Sequence, residues 1–250
     1  MSKKSKALVG LAAGAMIVYR TFVRPWQQRW GATSEEVNGP LLGDDLIAGP
    51  ASQITRAITI AASPHAVWSW VIQLGADRGG FYSYDWLEDL FRLGIHSAND
   101  VVAEWQSRAA GDFVYGDAKG RGGWYVMDVQ PNRALVLQTA DLKNARPATR
   151  SHRAFMEFTW AFVLNEGSNS TTRLLVRERV AFRNGLSRFL VAPVGLVSFV
   201  MTQKMMRGIK ERAESRPEPT ATPALGPHLV HIPSQNVDHE RETATSENLV

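Results

Sequence analysis

Apolar and polar residues alternate in several short stretches across the middle of the chain. A period of two is typical of strands that bury one face. It predicts strands at 55–60, 111–115, 123–129, 134–138, 154–164 and 171–182. Turn-forming residues separate these stretches, as at Pro131-Asn132 and across 165–170. The pattern therefore predicts a series of neighbouring strands joined by turns.

Three other stretches have helical spacing. In the first, 65–75, Ser63 suits the N-cap, Pro64 the first helical position and Gly75 the residue after the helix. A short second helix is predicted over 84–93.

The last predicted helix covers 186–213, and Pro193 and Gly195 kink or interrupt it unless the helix begins there. Its apolar part, 189–201, resembles a membrane span by hydropathy. The basic residues that follow favour instead the polar end of a soluble helix whose apolar face lines a cavity.

Residues 79–88, Gly-Gly-Phe-Tyr-Ser-Tyr-Asp-Trp-Leu-Glu, place four aromatic rings and two carboxylates behind a glycine pair. Rings supply apolar area, while buried tyrosine hydroxyls and indole N–H groups need polar partners. Small-molecule pockets combine apolar walls with a few placed polar groups. We therefore expect Tyr82, Tyr84 and Trp86 to bind ligand, although ordinary core packing explains these rings equally well.

Three consecutive features resemble the START-related polyketide cyclase and lipid-transport superfamily, SRPBCC, in its bacterial members. They are a strand, the helix pattern Ser-Pro-x-x-Val-Trp-x-Trp-x-x-Gln-Leu-Gly and the aromatic stretch that follows it. The resemblance covers residues 54–214. It implies an α+β helix-grip fold, in which a curved antiparallel sheet wraps around a long C-terminal helix and encloses a cavity. The superfamily includes carriers, cyclases and sensors, so the resemblance implies no single activity.

Glu178 is the sharpest anomaly in the pattern. Period two places it on the apolar face of the strand 171–182, so we expect a single acid in an apolar cavity wall. A carboxylate there takes up a proton or pairs with a cation or tyrosine, and it then binds a polar ligand group or serves as a general acid or base. The alternative is a structural ion pair with an arginine of a neighbouring strand, such as Arg153.

The other strands supply further candidates for the cavity wall. The even-numbered residues of 156–164 are uniformly apolar and include Trp160, and either Trp124 or Tyr125 faces the cavity. We expect Trp124 and Trp160 to contact ligand. If the face assignment of the strand 171–182 is reversed, Arg177 and Arg179 would neutralise a ligand head group.

His96 is the second candidate for proton transfer. His96, Asp100 and Glu104 are spaced by four, as on one helix face, but the surrounding Gly, Ser and Asn residues favour a loop. We predict no metal site there, and His96 is left as a polar group of the pocket.

Composition limits the function classes. The absence of cysteine excludes disulfides, thiolate nucleophiles and cysteine-ligated metals. The 28 basic against 24 acidic residues give a formal charge of only +4, too mild and scattered for a nucleic-acid surface. Motifs for phosphate loops, nucleophile elbows and zinc proteases do not occur. We expect no cofactor and no nucleic-acid partner.

The two ends differ from the middle. Residues 1–30 are read as a hydrophobic anchor helix, because an apolar run at 7–19, extendable to 23, lies between lysines and an Arg- and Trp-rich segment. The run is shorter than the ~20 residues of a spanning helix. A membrane anchor or marginal span, an amphipathic cap on the domain and a cleaved signal all stay open, and the membrane orientation is unreadable.

The remaining divisions follow from composition. Residues 31–53 are a Gly- and Pro-rich connector, 54–214 the SRPBCC-like domain, and 215–250 a Pro-rich disordered tail. Asp44 and Asp45 of the connector are expected to be solvated.

Together these features predict a protein that binds or carries a hydrophobic, lipid- or polyketide-like molecule. We expect it to be associated with a membrane through residues 7–23 and otherwise cytoplasmic. The first alternative is a cyclase- or hydratase-like enzyme that uses Glu178 or His96 for proton transfer. The second is a membrane-tethered interaction module with a filled core.

Overall fold

The computed structural model describes residues 3–84, 95–149, 156–182 and 194–215, and these contain seven strands and five α-helices. The strands are β1 Ser52–Ile60, β2 Phe113–Tyr115, β3 Gly123–Gln130, β4 Ala134–Asp141, β5 Arg146–Pro147, β6 Met156–Glu166 and β7 Thr172–Phe182. The helices are α1 Lys3–Val18, α2 Arg24–Gln28, α3 Ser34–Asn38, α4 Pro64–Val71 and α5 Val194–Ser215, with a π-helical turn at Tyr19–Val23 and 3-10 turns at Asp44–Leu46 and Ala103–Trp105.

All strand pairs are antiparallel, and the sheet has the order β1-β7-β6-β4-β3-β2 with β5 on β4. The inner face of the sheet shares one buried core with α4 and α5, to which α5 contributes Met205, Met206 and Ile209. This arrangement is the predicted α+β helix-grip fold, with the C-terminal helix held by the sheet. The strand periodicity of the sequence is thereby confirmed.

The first predicted helix is shorter than its sequence pattern. Ser63 caps α4 as expected, because its hydroxyl accepts a hydrogen bond from the Ala66 N–H at 3.2 Å. The helix ends at Val71 rather than next to Gly75. The reason is a tight turn in which Gly75, at φ +136°, exchanges two backbone hydrogen bonds with Gly80, a conformation that favours glycine.

The connector is folded onto the outer face of the sheet. Thr33 and Glu36 form a capping box at the start of α3, and Ala32, Leu41 and Leu42 pack on outer-face residues of β1, β4, β6 and β7. Asp44 is paired with Arg177 and Arg179 rather than solvated. These two arginines therefore hold the connector and do not face the cavity.

The segment after α1 is docked on the domain. Trp26 makes an edge-on contact with Phe199 of α5 at 5.4 Å between ring centroids, and the Arg207 guanidinium lies 5.5 Å from the Trp30 ring centroid. Among the described residues, no helix combines the length and the apolar character needed to cross a membrane. The prediction of a transmembrane helix at 7–23 thus has no support.

Several sequence predictions fall outside the described residues. They are most of the helix at 84–93, Trp86, Arg153, residues 186–193 of the last helix and the tail beyond Ser215.

Candidate ligand-binding cavity

A cavity of about 270 Å³ lies against the inner face of the sheet and the first half of α5. Side chains from the loops after α4, from β3, β6 and β7 and from α5 form its wall. Most are apolar, and the wall consists of Phe81, Ser83, Ile95, Gly116, Trp124, Phe158, Trp160, Glu178, Val197, Ser198, Met201, Thr202 and Met205.

The sheet side of the cavity is an aromatic cluster. The Trp160 ring lies 5.5 Å from Trp124 and 6.1 Å from Phe81 between centroids, and Phe81 meets Trp124 edge-on at 5.9 Å. Offset and edge-on contacts of this kind are the favoured geometries of aromatic pairs. The indole nitrogens of both tryptophans are buried, and neither has a hydrogen-bond acceptor in the described part of the chain.

Glu178 is the only carboxylate among the described residues of the cavity wall, and it is 4% exposed. Arg56 of β1 donates to its Oε1 at 2.8 Å, Thr202 Oγ1 donates to the same oxygen at 3.0 Å, and Ser198 Oγ donates to Oε2 at 3.3 Å. Three donors thus hold the buried carboxylate in place. Oε2, with a single long hydrogen bond, retains capacity to accept a further hydrogen bond from a ligand.

Arg56 is the partner that the sequence reasoning missed. It is 1% exposed, its Nε donates to the Gln27 carbonyl at 3.1 Å, and its guanidinium lies 5.4 Å from the Phe199 ring centroid. It falls in phase with Ile54, Ile58 and Ile60 on the apolar face of β1. The sequence did contain a signal for this ion pair, because Arg56 lies on the apolar face of one strand and Glu178 on the apolar face of another.

The other missed side chains are the two hydroxyls that face Glu178. Ser198 and Thr202 are four residues apart and hence on one face of α5. They belong to the same row as Val197, Met201 and Met205, which line the cavity. Their position in an apolar helical stretch was the only sequence signal.

The predicted ligand-binding residues divide into three groups. Trp124, Trp160 and Glu178 line the cavity. Tyr82 and Tyr84 line a neighbouring polar groove, and Trp86 lies outside the described residues. His96 is exposed and is absent from both linings, so no geometry connects it with Glu178.

Tyr82 has a structural hydrogen-bond network. Its hydroxyl donates to the Trp70 carbonyl at 3.1 Å and accepts from Gln73 Nε2 at 3.0 Å. Burial raises the pKa of Tyr82 above its usual value. A neutral, internally bonded phenol ties the loop after α4 to that helix.

Within the described ranges, no three His, Asp or Glu side chains come together as a metal site would require. The polar side chains of the described cavity wall are the hydroxyls of Ser83, Ser198 and Thr202, the indole N–H groups of Trp124 and Trp160, and the paired carboxylate of Glu178.

No protein-family profile and no curated protein matches this chain. Similar solved structures include a protein from Mesorhizobium loti, 12% identical, covering 66% of this chain and 99% of that chain with a TM-score of 0.39. A truncated norcoclaurine synthase from Thalictrum flavum is 11% identical over 66% of this chain and 95% of that chain, with a TM-score of 0.40. A putative protein of the dynemicin biosynthetic locus is 16% identical over 67% and 51%, with a TM-score of 0.39. At these identities and scores, no ligand or reaction carries over to this chain.

Proposed function

We propose that this chain is a binding or carrier protein of the SRPBCC superfamily that holds a hydrophobic small molecule between its sheet and α5. The observation that carries the proposal is the aromatic, largely apolar cavity of about 270 Å³. Pockets for small molecules have volumes of about 300–1,000 Å³ and few polar groups. The volume of this cavity is just below that range.

The aromatic wall supports the same proposal. Phe81, Trp124 and Trp160 present apolar rings to this space, and removing apolar surface from water contributes about 25 cal/mol per Å². Covering these rings with a hydrophobic ligand is therefore favourable. An interaction module with a filled core would lack such a space.

The rival proposal of a proton-transfer enzyme rests on Glu178, because this carboxylate lines the cavity. In its contacts with Arg56, Ser198 and Thr202, the carboxylate accepts hydrogen bonds from all three side chains. This geometry favours a structural and ligand-orienting role over that of a general acid.

Membrane association is the second part of the proposal. Several apolar side chains of α1 and of the π-helical turn after it are exposed, including Leu11, Ile17 and Phe22 at 65–73%. Arg20 and Arg24 beside them are exposed as well. Apolar side chains next to arginines suit the surface of an anionic bilayer. We expect the full chain to sediment with anionic vesicles, and Phe22→Glu to weaken this; equal sedimentation of the two proteins would contradict it.

A cavity-filling substitution tests ligand binding directly. Val197 lines the cavity, whereas Val200 on the same helix is 37% exposed. We expect Val197→Phe to reduce the affinity for an apolar fluorescent probe at least tenfold, while Val200→Phe leaves it unchanged. Both variants should unfold at temperatures close to the wild type. Equal probe affinity in all three folded proteins would contradict binding in this cavity.

A further inference from the structure

A polar groove lies beside the cavity along α5. Its volume is about 350 Å³, and it is lined by Tyr82, Ser83, Tyr84, Ser97, Asn99, Lys204, Glu211 and Arg212. The cavity takes its α5 side chains from positions 197–205 and the groove from positions 204–212. The two spaces are therefore consecutive along one helix, and Ser83 belongs to both linings.

The groove carries two cations and one carboxylate among its described lining residues. Lys204 and Glu211 are 3.7 Å apart, and Glu211 is 64% exposed, so their attraction is largely screened. The Lys204 ammonium also lies 6.0 Å from the Tyr84 ring centroid. Lys204 is thus held at the groove by weak contacts that leave its charge mostly uncompensated.

The charge of Arg212 is also not neutralised by a carboxylate within the described ranges. Its guanidinium donates to the Ala98 and Gly208 carbonyls and to Asn99 Oδ1, and it lies 4.9 Å from the Tyr82 ring centroid. These neutral partners fix its position and leave a positive field in the groove.

Ser83 marks the junction of the two spaces. It is 8% exposed, and its hydroxyl has no hydrogen-bond partner in the described part of the chain. Leaving a buried hydroxyl unpaired is a free-energy cost to the fold. A polar ligand atom passing from the cavity to the groove would remove that cost.

We propose that the ligand is an anionic amphiphile, whose apolar part fills the cavity and whose carboxylate or phosphate head binds Lys204 in the groove. Ser83 then bonds the polar end of the ligand at the junction, and Arg212 adds electrostatic attraction. This inference rests on the proposed function, because it specifies the ligand class for the same cavity.

Three ligands with one tail and different heads test the inference. Decanoate, decanol and decylamine are titrated into the full-length protein at neutral pH by calorimetry. We expect decanoate to bind about tenfold more tightly than decanol, a difference of about 1.4 kcal/mol, because a hydrogen bond between charged groups is stronger than one to a neutral hydroxyl. Decylamine should bind most weakly.

Substitutions at Lys204 test whether the preference for decanoate over decanol arises in the groove. Lys204→Gln should abolish the preference for decanoate over decanol, and Lys204→Arg, which keeps the positive charge, should retain it. The matched control is Lys210→Gln on the same helix, where the lysine is bonded instead to the Thr59 carbonyl and Glu214; it should keep the preference.

The outcomes separate the two proposals. Equal affinity of the wild type for decanoate and decanol, or a preference that survives Lys204→Gln, would overturn the anionic-head inference and leave the hydrophobic cavity intact. Failure of all three ligands to bind the folded wild type would overturn the proposed function itself.

Discussion

At the scale of single residues, the ion pair of Glu178 and Arg56 is the least expected feature of the interior. Both side chains are at least 95% buried, and removing two charges from water costs several kcal/mol each. The cost is offset by mutual attraction and by the hydroxyls of Ser198 and Thr202. The pair thus fixes the wall of the cavity.

Removing one charge of this pair should be strongly destabilising. We expect Glu178→Gln to lower the free energy of unfolding by about 3–5 kcal/mol, because Arg56 is left as an unpaired buried cation. Urea denaturation measures the loss. The double variant Arg56→Met/Glu178→Leu should recover part of it, and a double variant less stable than Glu178→Gln would contradict the coupling.

Sequence periodicity predicted which face of β7 carries Glu178, but it did not predict that Arg56 is the partner of this carboxylate. Alternation placed Glu178 on the cavity side of β7, as the structure has it. The partner depends on strand order, since β1 lies beside β7 and its register sets Ile54 opposite Glu178 and Arg56 one diagonal step away. A pattern within single strands does not contain that order.

At the scale of elements, the connector 31–53 is a packed layer on the outer face of the sheet rather than a spacer. Arg177 is 1% exposed, and its guanidinium donates to Asp44, to Thr55 Oγ1 and to the carbonyls of Glu36, Val37 and Gly39. One strand residue thereby organises a whole segment. The capping box of α3 is a local motif, whereas the contacts that dock the connector join residues distant in the chain, and the sequence reasoning missed them.

Asp44 is the carboxylate on which this docking depends. It bonds Arg177 at 2.6 Å and Arg179 at 2.9 Å, whereas the adjacent Asp45 is exposed. We expect Asp44→Ala to lower the free energy of unfolding by about 2–3 kcal/mol, as hydrogen bonds between charged groups are lost. Limited proteolysis should then cut residues 39–47 faster. Asp45→Ala is the control, and equal effects of the two substitutions would refute the docking role.

At the scale of the whole molecule, the two faces of the sheet pack against different parts of the chain. The inner face shares a core with α4 and α5 and leaves the cavity, while the outer face is sealed by the connector. The size of the cavity results from how these layers pack together. Its existence was implied by the family resemblance, but its wall could not be derived from the sequence pattern alone.

The stability of the fold at acid pH should depend on the ion pair that joins the connector to the outer face of the sheet. Arg173 donates to both oxygens of Glu36 at 2.7 and 2.8 Å, and this hydrogen bonding holds the pKa of Glu36 below its usual value. A lowered folded-state pKa stabilises the fold above the unfolded value of about 4.3, and that contribution is lost as the pH falls through the folded-state value.

The linkage predicts a specific pH profile. The stability difference between the wild type and Glu36→Gln should be largest at neutral pH and shrink as the pH falls below about 4. Thermal unfolding across that range measures it, with Glu104→Gln, an exposed site, as the control. A difference that does not change with pH would show that the Glu36 charge makes no contribution.

The central claim is that the cavity holds a hydrophobic small molecule. Native mass spectrometry of the full-length protein, purified from cells without added ligand, tests it most directly, and the full chain is needed because Trp26 and Gln27 contact α5 and Arg56. We predict a retained small-molecule mass that is present in the wild type and in Val200→Phe and absent from folded Val197→Phe. A bare mass in the wild type, together with no thermal stabilisation by any member of an apolar ligand panel, would contradict the claim.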